Sequence, residues 1–511
     1  MRGRVAFLPG EISPWVRKGH AAERSEKSAE VVVVAAKRGE GPNGEESETD
    51  VRLRDKQPQM SRQLELPLGS RDEVPRAGRS AEASEARHED ERSGASGLME
   101  LVCERQNLLA ALKRVRKNKG SAGIDGMTVN DLPGYLKTHW LGIREQLFAG
   151  TYQPSAVKRQ EIPKSGGGVR KLGIPTVVDR FIQQAVLQVL GPRFDPTFSE
   201  HSYGFRPRRG AHDAVVQAQR YVAEGRSIVV DVDLEKFFDR VNHDVLMGRL
   251  ARRIEDRRLL RLIRAYLEAG VMANGVVQER HEGTPQGGPL SPLLANVLLD
   301  EVDKELEKRK HAFVRYADDC NVYVRSKRAG ARVMALLRGL FEKLRLRVNE
   351  TKSAVGSVLR RKLLGFSFWR TRRGEAKGQA ALRVASTAVA AMKDRVRELT
   401  RRNCGQSMAQ VAEKLRSFLL GWKSYFRLAA TPEVFRRLDT WIRHRLRALQ
   451  LKHWKNGRTI YRELRARGLP HASAVQVAVS VRSWWRNSAM AINVAFPIRY
   501  FDNLGVPRLV A

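Results

Sequence analysis

The stretch that most constrains the fold is Phe313 to Val324, FVRYADDCNVYV, in which two runs of strand-forming residues flank the adjacent acids Asp318 and Asp319. Apolar and aromatic residues at alternate positions on both sides of the acids predict a short β-hairpin. Adjacent carboxylates repel each other unless a cation compensates them, so this pair suits an oxygen-liganded Mg²⁺. A solvated Asp-Asp turn is the alternative that this stretch alone leaves open.

A second acidic stretch is Ser227 to Asp239, SIVVDVDLEKFFD, where a β-branched run ends in Asp231 and Asp233. A carboxylate at the end of a buried strand is costly unless it is paired or binds a metal. The pattern therefore predicts Asp233 as a third metal ligand. Two adjacent aromatic residues, Phe237 and Phe238, follow it.

A Gly- and Pro-rich loop, GTPQGGPLSP from Gly283 to Pro292, carries a single amide side chain, Gln286. Glycine lets a ligand approach the backbone closely, and proline fixes the path of the loop. The pattern favours a ligand contact for Gln286, and an amide that caps the loop is the alternative.

In this order, the strand-borne Asp, the PQG loop and the YADD hairpin resemble the palm of reverse transcriptases. The flanking segments are similar to those of the group II intron reverse transcriptase/maturases: GSAGIDGMT from Gly120, IPKSGGGVRKLGIPTVVDR from Ile162, HSYGFRPRRGAHDA from His201, VNETKSAVG from Val348 and KLLGFSF from Lys362. The resemblance runs from about residue 100 to the C-terminus. It implies an RNA-directed DNA polymerase with two Mg²⁺ ions at Asp233, Asp318 and Asp319, which also binds its host intron RNA and assists its splicing and mobility.

The resemblance also implies which residues hold the incoming dNTP. Lys164 and Arg170, on either side of three glycines, match cations that hold its phosphates, and Gln286 and Lys352 lie near it. Phe238 matches the residue that packs against the sugar and excludes a 2′ hydroxyl. The alternatives are two solvated cations, an ordinary surface lysine and a core phenylalanine.

The charge of the chain calls for a polyanionic partner. The 511 residues carry a net charge of +37, with a pI near 10.7, and nucleic acid is a better candidate than a membrane surface. No apolar run approaches the ~20 residues of a membrane span, and the start lacks the hydrophobic stretch of a signal peptide. The three cysteines are widely separated, so they predict neither a disulfide framework nor a zinc site. These features favour a bacterial-type cytoplasmic protein.

Much of this charge lies after residue 355, where 32 Lys and Arg stand against 8 Asp and Glu. Apolar residues at helical spacing predict one amphipathic helix from Met408 to Phe426 and a second from Phe435 to Leu449. The second helix has an arginine-rich face, which we expect to contact a phosphate backbone. Arg206 is a further expected backbone contact in the SYGFRP segment. The predicted nucleic-acid contacts are Arg206, Arg436, Arg437, Arg443 and Arg447.

The predicted fold class is α+β: a right-hand polymerase core followed by an α-helical thumb and maturase domain and a short basic tail. The predicted boundaries are 1–95 for a mostly disordered extension, 96–226 for an N-terminal segment and the fingers, 227–368 for the palm, 369–455 for the thumb and maturase domain, and 456–511 for a basic region suited to DNA or RNA. A start codon placed too early is the alternative for the extension, because Met60 or Met99 would begin a chain with every motif.

The expected partners are group II intron RNA, an RNA template with a DNA primer, target DNA and dNTPs, with no membrane. No motif matches the C-terminal endonuclease that many members of the family carry, because no cysteine follows Cys404. Two alternatives remain: a maturase that assists splicing without polymerising, and a stand-alone reverse transcriptase of a defence or diversity-generating system. All three predicted metal ligands are present, and so is the basic helical region, which disfavours both.

Overall fold

The structure is a computed structural model that describes residues 97–163, 169–273, 276–278, 282–284, 287–371, 378–401, 405–489 and 491–510. The predicted extension, Lys164 and Gln286 lie outside these ranges. Arg170 is described by its backbone alone.

The N-terminal part of the described chain is mainly helical. Its helices are α1 (Leu98–Val102), α2 (Arg105–Lys117), α3 (Leu132–Ala149), α4 (Val177–Phe194) and α5 (Ala211–Ala223). A single helical run from Leu98 to Lys117 was expected, but the chain turns at Cys103 and Glu104. The buried carboxylate of Asp256 explains the separate first helix, because it accepts the Met99 backbone N–H at 2.9 Å.

Four strands form the finger sheet, in the order β2-β1-β4-β5. Strands β1 (Val157–Pro163) and β2 (Val169–Ile174) are an antiparallel hairpin, and β1 pairs in parallel with β4 (Val271–Ala273), which pairs with β5 (Val276–Gln278). Arg170 lies on β2 opposite Ile162. The predicted hairpin around the three glycines is therefore confirmed on both of its sides.

The palm sheet contains four antiparallel strands in the order β6-β7-β3-β8. They are β3 (Ile228–Val232), β6 (Ala312–Tyr316), β7 (Asp319–Val324) and β8 (Ala354–Ser357). The helices α6 (His243–Leu250), α7 (Arg257–Glu268), α8 (Ser291–Lys308) and α9 (Lys327–Lys343) are inserted between them. This interleaving confirms the mixed α+β character expected of a polymerase palm.

The last third of the described chain begins with a small antiparallel sheet and continues as helices. The sheet has β9 (Lys362–Leu363), β10 (Phe366–Arg370) and β11 (Ala380–Val384), in the order β11-β10-β9. The helices are α10 (Ser386–Leu399), α11 (Met408–Tyr425), α12 (Pro432–His453), α13 (Gly457–Ala466), α14 (His471–Val479), α15 (Trp484–Asn487) and α16 (Ile498–Asn503). Both predicted amphipathic helices are present as α11 and α12.

Two hydrophobic cores meet at the palm sheet, one on each face. Because side chains alternate along a strand, Val230 and Val232 enter the first core with α1–α4 and α6–α9. Val229 and Tyr323 enter the second core with α5, the small sheet and the C-terminal helices. The palm sheet is therefore the shared wall between the two halves of the described chain. None of the helices in the described ranges is long and apolar enough to cross a membrane.

Candidate active site

The tip of the predicted acidic hairpin is a two-residue turn. Tyr316 at the end of β6 pairs with Asp319 at the start of β7, so only Ala317 and Asp318 connect the strands. Ala317 adopts a left-handed backbone conformation with φ of 57°, as the first residue of a tight hairpin loop often does. A non-glycine residue pays about 1–2 kcal/mol for this conformation, so neighbouring contacts must hold the turn.

The register of the palm sheet brings Asp233 beside this turn. Val232, the last residue of β3, pairs with Cys320 on β7. Continuing this antiparallel register by one residue places Asp233 opposite Asp319. Directly opposed residues have their side chains on the same face, with Cβ atoms about 4.5–5.5 Å apart. The fold thus brings the three carboxylates predicted from sequence to one end of one sheet.

The segment from Asn349 to Ser353 fixes the backbone of Asp233. Asp233 N–H donates to Ser353 Oγ at 3.0 Å, and the Asp233 carbonyl accepts the Asn349 N–H at 2.8 Å. The same segment brings Lys352 Nζ to 4.0 Å from Asp233 Oδ2, in a carboxylate that is almost fully buried. Lys352 is thus at the predicted place, and its position makes it a countercharge for Asp233.

A fourth carboxylate, Asp231, lies on the same face of β3 as Asp233. Burial raises the pKa of Asp231 to about 6, against the opposing effect of Arg361, whose Nη1 is 3.6 Å from Asp231 Oδ2. The nearby charge of Asp233 also raises this pKa. The concentration of negative charge on this face is therefore high enough to favour a bound cation.

The backbone arrangement fits a Mg²⁺ site, since carboxylate oxygens are the ligands that this ion takes in proteins. Asp233, Asp318 and Asp319 would supply them. In the part of the chain that the structure describes, no three Asp, Glu, His or Cys side chains are already gathered as a metal cluster. A bound ion would therefore draw the acidic side chains together over a backbone that is already in place.

Phe237 and Phe238 occupy a short 3₁₀ turn, Phe237–Asp239, directly after the palm strand. Phe237 is 2% exposed, whereas Phe238 is only partly buried and packs edge-on against it with ring centroids 5.0 Å apart. The Phe238 carbonyl accepts the Thr284 N–H at 2.7 Å. The start of the loop that carries Gln286 is therefore anchored to the backbone of Phe238.

The other side of that loop touches the finger sheet. A Cβ atom on Gly287, where φ is 145°, would lie 2.5 Å from the carbonyl oxygen of Gly173 on β2. Only glycine allows this approach. The turn with Phe238, the loop with Gln286 and the strand with Arg170 therefore converge, as the predicted nucleotide contacts require.

Arg206 has a different role from the one expected. It is 7% exposed, and its guanidinium donates to the Asp195 carboxylate and carbonyl at 2.7 Å each and to the Ser202 carbonyl at 3.1 Å. A guanidinium that is buried and bonded in this way is not available to a nucleic-acid backbone. We therefore correct the assignment: Arg206 holds the SYGFRP loop together.

The arginine face of α12 also needs correction at two positions. Arg443 is 3% exposed and bonds Asp439 at 3.1 Å and Asp502 at 3.4 Å. Arg447 is 8% exposed, and its Nε and Nη2 atoms donate to the Phe496 carbonyl at 3.1 and 2.9 Å. These two arginines attach the C-terminal segment to α12, so they are not surface contacts.

The two remaining predicted arginines, Arg436 and Arg437, are exposed. Their side chains are 62% and 80% accessible, and both pair with Glu433 at the start of α12. A second cationic group lies on α10 and α12, where three cations surround the ring of Trp441 at 5.4–5.7 Å: Lys393, Arg397 and Arg445. The structure thus retains an accessible basic surface on these two helices.

Sequence reasoning missed two groups around the site. Asn349 and Ser353 were not singled out, although they fix Asp233, and their signal was their place beside Lys352. The other group is the ion pair of Arg315 and Asp303, both almost completely buried directly behind the acidic turn. Its signal was a charged residue inside an otherwise apolar strand, next to Tyr316.

Two family models match the chain. Residues 162–368 match a model described as reverse transcriptase (RNA-dependent DNA polymerase). Residues 389–468 match a model described as the maturase-specific domain of group II introns. The first match contains the palm sheet and both acidic segments, and the second contains most of α10, α11, α12 and α13.

Individual relatives agree with these models. The chain is 32% identical to Protein YkfC of Escherichia coli (strain K12) over 299 residues, half of this chain and 78% of that protein. It is 37% identical to the group II intron-encoded protein LtrA of Lactococcus lactis subsp. cremoris over 206 residues, 40% of this chain but only 34% of LtrA. A solved Cas6-RT-Cas1–Cas2 complex aligns over 48% of this chain and 42% of its own, with 26% identity and a TM-score of 0.32.

The palm sheet, its acidic turn and the matched models define the protein as a reverse transcriptase, an RNA-directed DNA polymerase. The maturase-specific domain that follows makes the assignment narrower. The chain belongs to the group II intron-encoded reverse transcriptase/maturases, in which reverse transcription accompanies a role in intron splicing and mobility.

Proposed function

We propose that this chain copies RNA into DNA with Asp233, Asp318 and Asp319 as its catalytic residues, and that it binds its own host intron RNA through the helical region that follows. The observation that carries the first part is the register of β3 and β7, which sets Asp233 opposite Asp319 and beside the turn with Asp318. Alignment and electrostatics are the main contributions a protein makes to phosphoryl transfer.

The three aspartates would hold two Mg²⁺ ions. When bound, these ions supply activation of the primer 3′ hydroxyl and neutralisation of the charge on the leaving pyrophosphate. Lys352 balances the buried Asp233 carboxylate from 4.0 Å, which keeps that carboxylate ionised and ready to accept a cation. Arg361 does the same for Asp231.

The dNTP would lie where the finger sheet approaches the palm. Lys164 and Arg170 bind its phosphates, Gln286 contacts it from the glycine-rich loop, and Phe238 packs against its sugar. The close approach of Gly287 to Gly173 and the hydrogen bond of Thr284 to Phe238 support this arrangement, since they join the loop to both neighbouring elements. Their backbones thus touch before any nucleotide binds.

The intron RNA would lie along α10 and α12. Arg436, Arg437 and the three cations around Trp441 form the accessible surface that we assign to its phosphates. The basic region from residue 456 is the proposed contact for target DNA or further RNA. We propose a cytoplasmic protein that acts with its intron RNA, an RNA template and a DNA primer.

Primer extension on an RNA template tests the polymerase assignment. The wild type should extend an annealed DNA primer in Mg²⁺, and D318A/D319A should fall to background because the metal ligands are gone. The matched control is D244A/E305A, which removes two exposed, ion-paired acids elsewhere and should extend like wild type. Extension by D318A/D319A at the wild-type rate would refute the assignment.

A splicing-only maturase is the second candidate. It would bind the intron RNA but give no extension in the wild type, even with Mg²⁺ and dNTPs. The three aspartates and the ordered contacts around them argue against it, because a chain without polymerase activity has no use for a cation-ready group of buried carboxylates.

A further inference from the structure

The acidic turn is supported from behind by a buried polar network centred on Arg315. Arg315 is the residue of β6 directly before Tyr316, and its side chain is 2% accessible. Because side chains alternate along the strand, Arg315 points to the face opposite Asp319, toward α8. Its Nε and Nη2 atoms donate to both oxygens of Asp303 on α8, at 2.6–2.9 Å.

A third nitrogen of the same guanidinium holds the turn itself. Arg315 Nη1 donates to the Ala317 carbonyl at 2.9 Å and to Asn296 Oδ1 at 2.9 Å. Ala317 is the left-handed residue of the turn, and its carbonyl belongs to the peptide bond with Asp318. The orientation of that peptide therefore depends directly on the guanidinium.

The SYGFRP loop closes the network from the other side. Its Ser202 Oγ accepts from Arg315 Nη2 at 2.8 Å, and the Gly204 carbonyl accepts from Asn296 Nδ2 at 3.0 Å. Tyr203 N–H also donates to the Arg315 carbonyl at 2.9 Å. A Cβ atom on Gly204 would lie 2.2 Å from the Ala317 backbone nitrogen, so the loop is in contact with the turn.

A buried ion pair is an expensive way to stabilise a fold, because both charges lose their hydration. Packed apolar residues would serve that purpose as well. What a planar guanidinium adds is direction: five donors in a fixed geometry set the relative positions of everything they bond. Here those groups belong to α8, the SYGFRP loop and the turn with Asp318.

We propose that Arg315 is a positioning residue for nucleotidyl transfer, which fixes the Ala317–Asp318 peptide and through it the placement of the Asp318 and Asp319 carboxylates. Asn296 and the Ser202–Gly204 loop act with it. The inference rests on the proposed role of the two aspartates, and it gives the SYGFRP segment a function as a support for the active site.

The test is R315K, which keeps a cation for Asp303 but cannot reach Asp303, Asn296 and the Ala317 carbonyl together. We expect the kcat of primer extension to fall roughly 100-fold, as a displacement of about 1 Å can cause. The KM values for dNTP and for primer-template should stay within about twofold, and half-maximal extension should require a higher Mg²⁺ concentration. Activity is measured well below the melting temperature of the variant.

The matched control is R253K, because Arg253 bonds an aspartate of the same helix, Asp300, and a hydroxyl, that of Thr197, but does not touch the turn. Its kcat and Mg²⁺ requirement should remain those of wild type. If R315K keeps the kcat of R253K, or if only its melting temperature changes, Arg315 serves the fold alone and the proposal is wrong.

A second variant covers the case in which R315K does not fold. N296A removes the bonds to Gly204 and to Nη1 while the pair of Arg315 and Asp303 remains, and kcat should fall roughly tenfold with KM unchanged. An unchanged kcat in N296A would overturn the proposal independently. A wild type that does not extend primers, or an active D318A/D319A, would instead contradict the function on which the proposal rests.

Discussion

Phe237 and Phe238 are adjacent in sequence but lie in different surroundings, which gives them different predicted roles. Phe237 is fully buried in the first core, whereas Phe238 keeps an exposed part of its ring beside the loop of Gln286. F238A should therefore raise ribonucleotide incorporation relative to dNTP by roughly tenfold, because the pocket gains room for a 2′ hydroxyl. Single-nucleotide extension with matched rNTP and dNTP measures the ratio.

F237A is the matched control, since it removes the same ring from the neighbouring position. It should lower the free energy of unfolding by about 3–5 kcal/mol and leave the discrimination between sugars as in wild type. If F238A discriminates as the wild type does, the assignment of Phe238 to the sugar is wrong.

Arg443 and Arg437 lie on the same helix but differ in burial, and their substitutions should differ accordingly. R443A leaves the carboxylate of Asp439 without its closest cation inside the protein, so the free energy of unfolding should fall by about 3–5 kcal/mol. R437A removes a side chain that is 80% accessible and should leave stability unchanged. Urea unfolding of both variants is the measurement, and equal stabilities would contradict the structural role of Arg443.

These arginines show what a sequence pattern can predict at the scale of a residue. Helical spacing correctly predicted which arginines share a helix. It could not show that a segment some fifty residues later, around Phe496 and Asp502, covers part of that face. The aspartates, in contrast, could be predicted because their positions at strand ends follow from the period of two in the sequence itself.

At the scale of an element, the start of α4 shows how a buried acid couples stability to pH. Asp179 accepts hydrogen bonds from the Thr176 hydroxyl at 2.6 Å and the Tyr152 hydroxyl at 2.9 Å, while Thr176 caps the helix by accepting the Asp179 N–H. Burial is the largest effect on Asp179 and raises its pKa above the ordinary value of 3.8, although these hydrogen bonds oppose it.

A raised pKa in the folded state contributes stability that is fully present below pH 3.8 and is lost as the pH rises through the folded value. An asparagine does not titrate. The unfolding free energy of D179N relative to wild type should therefore increase as the pH is raised from about 4 toward 7. Urea unfolding at several pH values measures the trend, and a difference that does not change with pH would contradict it.

The elements that sequence predicted well are those whose pattern is local. The acidic hairpin, α11 and α12 all follow from apolar periodicity within one short stretch. The break between α1 and α2 does not, because it depends on Asp256, which lies far along the chain and accepts the Met99 N–H. The network of Arg315, Asp303 and Ser202 could not be predicted for the same reason: its members come from three separate segments.

At the scale of the whole molecule, polymerisation and RNA binding are assigned to different surfaces. R436A/R437A should weaken intron RNA binding and flatten its dependence on salt, by about one unit of log–log slope for each phosphate that no longer has a cation beside it. Extension of a simple annealed primer should remain at the wild-type rate. Titrations of intron RNA at several salt concentrations, together with primer extension, measure both effects.

The reciprocal variant is D318A/D319A, which should bind intron RNA with wild-type affinity and salt dependence. R309A/R338A is the matched control for the arginine pair, because it removes two exposed, ion-paired arginines of the palm. If R309A/R338A weakens RNA binding as much as R436A/R437A, general charge rather than the surface of α12 accounts for the affinity.

The palm sheet has a consequence for inheritance as well as for folding. One face of its strands is covered by the helices of the polymerase half, and the other by elements that continue into the maturase half, with Val229, Val314 and Tyr323 among the residues covered. A gene fission after the palm would leave that second face without its cover and produce a sticky, insoluble polymerase. Descendants that dispense with splicing assistance would therefore have to keep the maturase helices as scaffolding, long after selection for their RNA-binding surface had ended.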